Sequence, residues 1–210
     1  TPAYLDRNAP APPRPVGRVV ILEDTDGDGR ADRRTVYADN LDVPRAIAFV
    51  GHKVLIGDPP NLWLTRDRDG DGVMDEKVLI ASDYGTADNI EQSANGLLWG
   101  RDNWLYNANY KSRMRLGGGE WQREPMPALG QWGITQDDFG RLFYNTNSDQ
   151  LRGDLLPSHY AAQFDRRLPL FGINVQLAPD QSTWPARPTP GVNRGYREGQ
   201  LREDGRLATF

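Results

Sequence analysis

A nine-residue acidic element occurs twice in this chain, 43 residues apart, and each copy sits between runs too short for anything but β-strands. DTDGDGRAD covers Asp24 to Asp32, and DRDGDGVMD covers Asp67 to Asp75. Around them lie Arg18–Leu22, Arg34–Tyr37, Ala46–Val50, Lys53–Ile56, Asn61–Leu64 and Lys77–Ile80, each four or five residues long. These runs are rich in β-branched or aromatic side chains and are bounded by Gly, Pro, Asn or Asp. Apolar spacing of helical period is nearly missing. Leu155–Arg167 is the best helix candidate, with Pro157 in its first turn. Composition points the same way: 22 Gly and 16 Pro in 210 residues, with 38% hydrophobic residues, describe many turns and short strands.

A second recurrence joins an apolar run, a polar turn and another strand. It appears as AIAFVGHKVLIGD (46–58), GLLWGRDNWLYNAN (96–109) and ITQDDFGRLFYNTN (134–147). A repeat of about 40–50 residues in all-β sequence is the signature of a β-propeller, whose four-stranded blades bury their faces against one another. The expected fold is therefore all-β, a propeller represented by about three blades and a long irregular C-terminal segment. Residues 1–16, with five prolines, are expected to form an extended arm, and 17–167 to hold the blades and the acidic loops. Residues 168–210 read as an irregular connection that leads into a further blade at Leu207–Phe210. That connection either wraps the blades or shapes the mouth of a site. Exposed edge strands of an incomplete ring call for a partner chain or further segment that completes it.

The acidic element has the chemistry of a calcium loop. Aspartates at alternate positions of a tight loop turn inward together, and the glycines supply the positive φ that such a turn needs. Three carboxylates, a carbonyl at position seven and a final Asp provide the six or seven oxygens that Ca2+ takes. The ligands expected are Asp24, Asp26, Asp28, the Arg30 carbonyl and Asp32 in the first loop. In the second they are Asp67, Asp69, Asp71, the Val73 carbonyl and Asp75. An EF-hand is excluded, because position twelve holds Thr35 or Val78 in place of Glu and no helices flank the loops. The spacing resembles instead the hairpin calcium loops of integrin-type propellers. A metal-free Asp/Gly turn is the alternative, and repulsion among four carboxylates in nine residues argues against it.

Other chemistries are bounded by what is scarce. The absence of cysteine removes disulfides, zinc–thiolate sites, a thiol nucleophile and covalent haem attachment within this chain. His52 and His159 are the only histidines, too few for an HExxH site. A net charge of −4 is too mild to suggest a nucleic-acid partner. Eight of the 29 acidic residues lie in the two loops, so two bound Ca2+ would bring that charge to about zero. No run approaches the ~18 apolar residues of a membrane span.

Two stretches carry a family resemblance. DNIEQSANGLLWG (88–100), continuing as RDNWLYNANY, and GQWGITQDDFGRLFYNTNSDQLRGD (130–154) resemble the membrane-bound dehydrogenase family of planctomycetes and related bacteria. GINVQLAPDQSTWPARPTPGVNRGY (172–196) resembles it as well. The resemblance implies a six-bladed propeller similar to the soluble quinoprotein sugar and sorbosone dehydrogenases. It further implies pyrroloquinoline quinone (PQQ) with calcium over the central axis, a small sugar or alcohol substrate, and electrons passed to a separate c-type cytochrome. A periplasmic or extracellular location follows from the same resemblance and suits calcium loops.

In that family a histidine before the W-G-x-D-x-W-L-Y-like stretch takes the substrate proton. Here the corresponding region, Asn89–Asn95, contains no histidine, and Glu91 is the carboxylate available as a base. Gln92, Asn95, Arg101, Lys111 and Asn147 are the expected cofactor contacts. Arg45, Asn107, Asn109, Asp149 and Arg152 are further polar candidates on loops after the recurring strands. Trp99, Trp104, Tyr106, Trp132, Phe143 and Tyr144 are expected to pack between blades; His159 can begin a short helix, and a place at the site is the less favoured reading of it. A calcium-stabilised, non-catalytic scaffold or binding module in a cell-envelope complex is the competing expectation.

Overall fold

The computed structural model describes residues 15–85, 92–146, 149–163, 172–180 and 182. Most of the expected Pro-rich arm, Glu91, Asn147 and nearly all of the segment after residue 182 lie outside the described residues.

The structure is all-β. A two-stranded sheet pairs β1 (Gly17–Glu23) with β2 (Arg33–Leu41). Three antiparallel sheets follow, each a four-stranded meander in chain order. The first is β3 (Ala46–Val50), β4 (Lys53–Asp58), β5 (Asn61–Arg66) and β6 (Glu76–Ala81). The second is β7 (Asn95–Trp99), β8 (Leu105–Ala108), β9 (Ser112–Gly117) and β10 (Glu120–Pro125). The third is β11 (Ile134–Gln136), β12 (Leu142–Tyr144), β13 (Arg152–Gly153) and β14 (Val175–Gln176). Every strand-like run in the sequence up to residue 81 became a strand, Ala46–Val50 unchanged and the others lengthened by two to five residues. The triglycine at 117–119 makes the β9–β10 turn, with Gly118 and Gly119 at φ of 62° and 86°.

Two expectations are corrected. The helix expected over Leu155–Arg167 is a 3-10 helix at Ser158–Gln163, starting directly after Pro157. Six residues without an amphipathic stripe have no α-helical face to bury. The boundary at residue 167 also fails, because Val175 and Gln176 return to pair with Gly153 and Arg152 as the fourth strand of the last sheet. A two-residue strand has no sequence period to reveal it. No helix among the described residues is long and apolar enough to cross a membrane.

Among the described residues there is no single central core. Apolar side chains form three layers, each between consecutive sheets. Tyr37, Ala38, Leu41 and Ile56 join the first pair of sheets, with Val19, Val54 and Met74 packed against them. Leu55, Leu62, Tyr84, Leu105 and Met114 anchor the next layer, and Tyr106, Met126, Leu129, Leu142 and Tyr144 the last. Strand geometry explains the division. Successive side chains of a strand point to opposite faces, so Leu55 and Ile56 on β4 enter different layers although both are fully buried. Leu105 and Tyr106 on β8 do the same. Each fully buried Leu or Ile contributes about 1.5–3 kcal/mol relative to exposure.

The leading strands β3, β7 and β11 are neighbours in space. β7 and β11 approach so closely that a Cβ on Gly96 would stand 3.0 Å from Gly133 Cα, and Gly96 has a φ of 65°. No L side chain suits that position.

Candidate metal centres and the inner end of the sheets

The two acidic elements occupy equivalent hairpins, the first between β1 and β2 and the second between β5 and β6. Each hairpin is closed below its loop by a backbone bond, Asp32 N–H to Glu23 O at 2.9 Å and Asp75 N–H to Arg66 O at 2.9 Å. An ion pair repeats the closure: Arg33 with Glu23, and Arg68 with Glu76 at 2.9 Å.

Within the loops the hydrogen bonds are copied almost one for one. Asp24 accepts from Gly27 N (2.7 Å) and Gly29 N (2.8 Å), as Asp67 accepts from Gly70 N (2.7 Å) and Gly72 N (2.9 Å). Asp26 and Asp28 accept from the amides two residues on, and Asp69 and Asp71 do likewise. The four loop glycines have φ between 79° and 86°. Short Asx-type bonds of this kind need only the nine residues themselves. The Gly29 and Gly27 amides hold the Asp24 carboxyl below the usual carboxylate range, and the Gly70 and Gly72 amides do the same for Asp67.

This turn gathers one carboxylate oxygen from each of Asp24, Asp26 and Asp28 within 4.8 Å of one another, and the same from Asp67, Asp69 and Asp71. The expected fourth carboxylates do not join these triads. Asp32 accepts from Thr25 N (3.1 Å) with one oxygen and from the Thr25 hydroxyl (2.7 Å) with the other, which lowers its pKa. Asp75 accepts only from Arg68 N (2.7 Å), because Arg68 has no hydroxyl to occupy the second oxygen. Among the described residues, no backbone N–H donates to the Arg30 or Val73 carbonyl. Three convergent carboxylates with an adjacent uncommitted carbonyl fit a hard, oxygen-liking cation.

The surroundings of the loops differ. Met74 N–H donates to Tyr37 O at 2.8 Å, and its side chain joins the first apolar layer. A Cβ on Gly72 would lie 3.2 Å from Thr35 Cγ2, so the second loop rests on the β1–β2 sheet. All nine residues of the first loop are exposed, with Ala31 in the place of Met74.

The polar candidates divide between two ends of the sheets. Asn95, at the start of β7, is buried and fully engaged. Its amide donates to Ser93 O (3.2 Å) and Gln131 O (2.8 Å), and its oxygen accepts from Gly133 N (2.7 Å). Asn95 therefore staples β7 to the segment entering β11, with both of its N–H donors spent there. Asn109 donates to Gln92 O at the same end, and Asn107 accepts from the Tyr84 hydroxyl at 2.7 Å. Lys111 is exposed between β8 and β9, and Arg45 lies 5.6 Å from the Trp132 ring.

Arg101 is not with them. It follows the far end of β7, in the β7–β8 turn, and pairs with Asp138 at 3.2 Å. A strand of five residues separates it from Asn95, so the expected contact set is split. His159, near the start of the 3-10 helix, also lies apart from Asn95. Burial and the Arg113 charge lower its pKa, and it stands on the side of Asp102, Arg113 and Glu124. Asp149 and Arg152 pair with each other at 2.6 Å.

Of the aromatics, Tyr106 and Tyr144 are buried as expected, and Trp99 and Trp104 pack against the layers. Trp132 is 36% exposed. Sequence reasoning missed Arg113, a nearly buried cation. It bonds Asp102 and Glu124 and lies 4.1 Å from the Trp104 ring. Arg113 and Met114 are adjacent on β9 and both buried, so strand alternation gives no signal for Arg113, and its ionic partners come from the β7–β8 turn and from β10.

Residues 1–200 match a family described as a domain of unknown function (DUF7133), so the chain belongs to that family. No curated protein and no solved structure matches the chain.

Proposed function

We propose that this member of the DUF7133 family is a calcium-stabilised section of a six-bladed β-propeller that serves as scaffold or binding module in an assembly outside the cytoplasm. The observation that carries the reading is the pair of aspartate triads at equivalent hairpin tips. Asp24, Asp26 and Asp28 with the Arg30 carbonyl would hold one ion. Asp67, Asp69, Asp71 and the Val73 carbonyl would hold the other, with the second oxygen of Asp75 within the same loop. Calcium supplies charge neutralisation there and no reactive group. Three meanders that bury their faces only against chain neighbours support the propeller geometry. The two-stranded β1–β2 sheet matches the outer pair of each meander, so a segment or partner chain is proposed to supply the inner pair. Calcium titration by calorimetry tests the reading: two ions per chain and a raised melting temperature are expected, and no binding at millimolar calcium overturns it.

A second reading follows the resemblance at residues 88–109 and 130–154: a PQQ-dependent sugar or alcohol dehydrogenase whose electrons leave to a c-type haem on another chain. Asn109, Gln92, Lys111 and Arg45 at one end of the sheets favour a polar ligand there. Among the described residues that end holds no histidine, and Asn95 is consumed by structure, which is why the scaffold reading ranks first. Reconstitution with PQQ and Ca2+, followed by a dye-linked assay on aldoses and alcohols, separates the two.

A further inference from the structure

The leading strands of the three meanders are tied by a bond that recurs. Phe49, Trp99 and Gln136 hold equivalent positions, each one residue before the pair that closes the turn into the second strand: Val50 with Lys53, Gly100 with Trp104, and Asp137 with Arg141. The Trp99 indole Nε1 donates to Phe49 O at 2.8 Å, and Gln136 Nε2 donates to Trp99 O at 2.7 Å. A side chain at this position thus reaches back to the leading strand of the sheet before it. Phe49 is the first of the series and is 70% exposed, and Ile47, on the same face of β3, is 47% exposed.

That face is elsewhere a buried one. Ile47 and Phe49 stand opposite Ile56 and Val54 in the β3–β4 register, and those two lie in the apolar layer covered by the β1–β2 sheet. On the next sheet the equivalent residues, Leu97 and Trp99, are covered, because they pack against the layer that holds Ala48 and Leu55. Cover over the first meander therefore stops at β4, and two large apolar side chains on β3 are left in water.

The β1–β2 sheet indicates what is missing. Its acidic hairpin is the counterpart of β5–β6, so β1 holds the place of a third strand. β5 pairs with β6 on one edge and with β4 on the other, whereas among the described residues β1 pairs with β2 alone. By that equivalence the free edge of β1 points to the place of a second strand. A first strand belongs in front of β3, as β3 stands in front of β7.

We propose that the free edge of β1 and the bare face of β3 form one interaction surface, and that its partner is a β-hairpin supplied from outside residues 1–210. The inference rests on reading the chain as a propeller section. One strand of the hairpin extends the sheet through main-chain hydrogen bonds to β1, and the other covers Ile47 and Phe49. It presents small and aliphatic side chains to them, as Ala48 and Leu55 are presented to Leu97 and Trp99. A second copy of the chain has no such hairpin to give, because β3–β4, β7–β8 and β11–β12 are each bonded to a third strand of their own. Residues 1–14 carry four prolines, which lack the N–H that a central strand needs.

The test inserts a second copy of residues 46–60 between Val16 and Gly17 of the full chain, which offers the surface an inner hairpin at high effective concentration. Amide exchange on β1 should slow by about tenfold or more, the scale of one backbone hydrogen bond, and the melting temperature should rise. Phe49→Asp at the original position should leave the unextended chain nearly unchanged, since that side chain is exposed, and should remove most of the gain from the extended one. If the extended chain does not fold, a synthetic peptide of residues 46–58 added to the unextended chain should slow the same amides. The proposal is overturned if neither form of the hairpin slows exchange on β1, or if the gain survives Phe49→Asp. It is also overturned by a dimer of the unextended chain that Phe49→Asp abolishes, which assigns the surface to a second copy, and by β1 edge amides already slow in an unextended monomer, which assigns it to the chain's own ends. Calcium stoichiometry on the same samples keeps the two readings apart. Two ions bound without docking of the hairpin removes this surface alone, and docking without calcium removes the calcium reading alone.

Discussion

The two acidic loops share their code and their local turn, yet they stand in different places. Loop 67–75 rests on the β1–β2 sheet through Met74, Gly72 and the Met74–Tyr37 backbone bond. Loop 24–32 projects from the same sheet with all nine residues exposed. The difference teaches that the aspartates and glycines encode the shape of the loop, while the neighbouring sheet decides whether the loop carries tertiary stability. Ala31 and Met74 mark the divergence, because only the second has a layer to enter.

The largest effect is expected where the docked loop meets its floor. Ile56→Ala should cost about 2–5 kcal/mol in chemical denaturation, since Ile56 is fully buried beneath Met74 and Tyr37. Met74→Ala should cost less, about 1–2 kcal/mol, because Met74 is only partly buried. Ala31→Gly in the free loop should stay within about 0.5 kcal/mol. Equal costs at Met74 and Ala31 would erase the distinction between the loops.

Calcium sharpens it further. Asp26→Asn and Asp69→Asn should each reduce the stoichiometry from two ions to one, and calcium should raise the melting temperature more through the docked loop. Calorimetry and thermal melts of both variants check this. A smaller change is expected from Thr25→Val. It removes the hydroxyl that occupies an oxygen of Asp32 and should strengthen calcium binding at the first loop severalfold, toward the second.

Acid provides the mildest probe. Asp24, Asp32 and Asp67 have folded pKa values below their unfolded ones, so they bind fewer protons in the native chain. Their contribution is present above the ordinary Asp value of about 3.9 and is lost as pH falls through the lower folded values. Asp58 and Asp154, whose pKa values burial raises, act with the opposite sign and disfavour the folded state as pH rises. Protection of the Gly27, Gly29, Gly70 and Gly72 amides, measured relative to the intrinsic exchange rate at each pH, should therefore fall only below about pH 4. Loss of protection near neutral pH would show that the Asx bonds do not hold the loops.

Much of the strand pattern was legible because each strand up to residue 81 is written in four or five consecutive residues with turn formers at both ends. The loops were legible for the same reason. β14 was not, since two residues recruited from beyond a long connection have no period of their own. The polar candidates were misgrouped because sequence order does not say which end of a strand a turn occupies. Asn95 and Arg101 are six positions apart and lie at opposite ends of β7. Asn95 shows a second gap, because its partners Gln131 and Gly133 are more than thirty residues away.

The sequence alone determined the all-β class, the hairpin positions of both acidic elements and the turn that gathers each triad. Those rest on contacts within a few residues, where covalent geometry and Asx bonding suffice. Tertiary structure decided which loop is docked, which asparagine is a staple, and that Phe49 is bare where the equivalent Trp99 is covered. Each of these depends on sheets stacking face to face, and stacking brings together side chains whose separation along the chain carries no local signal.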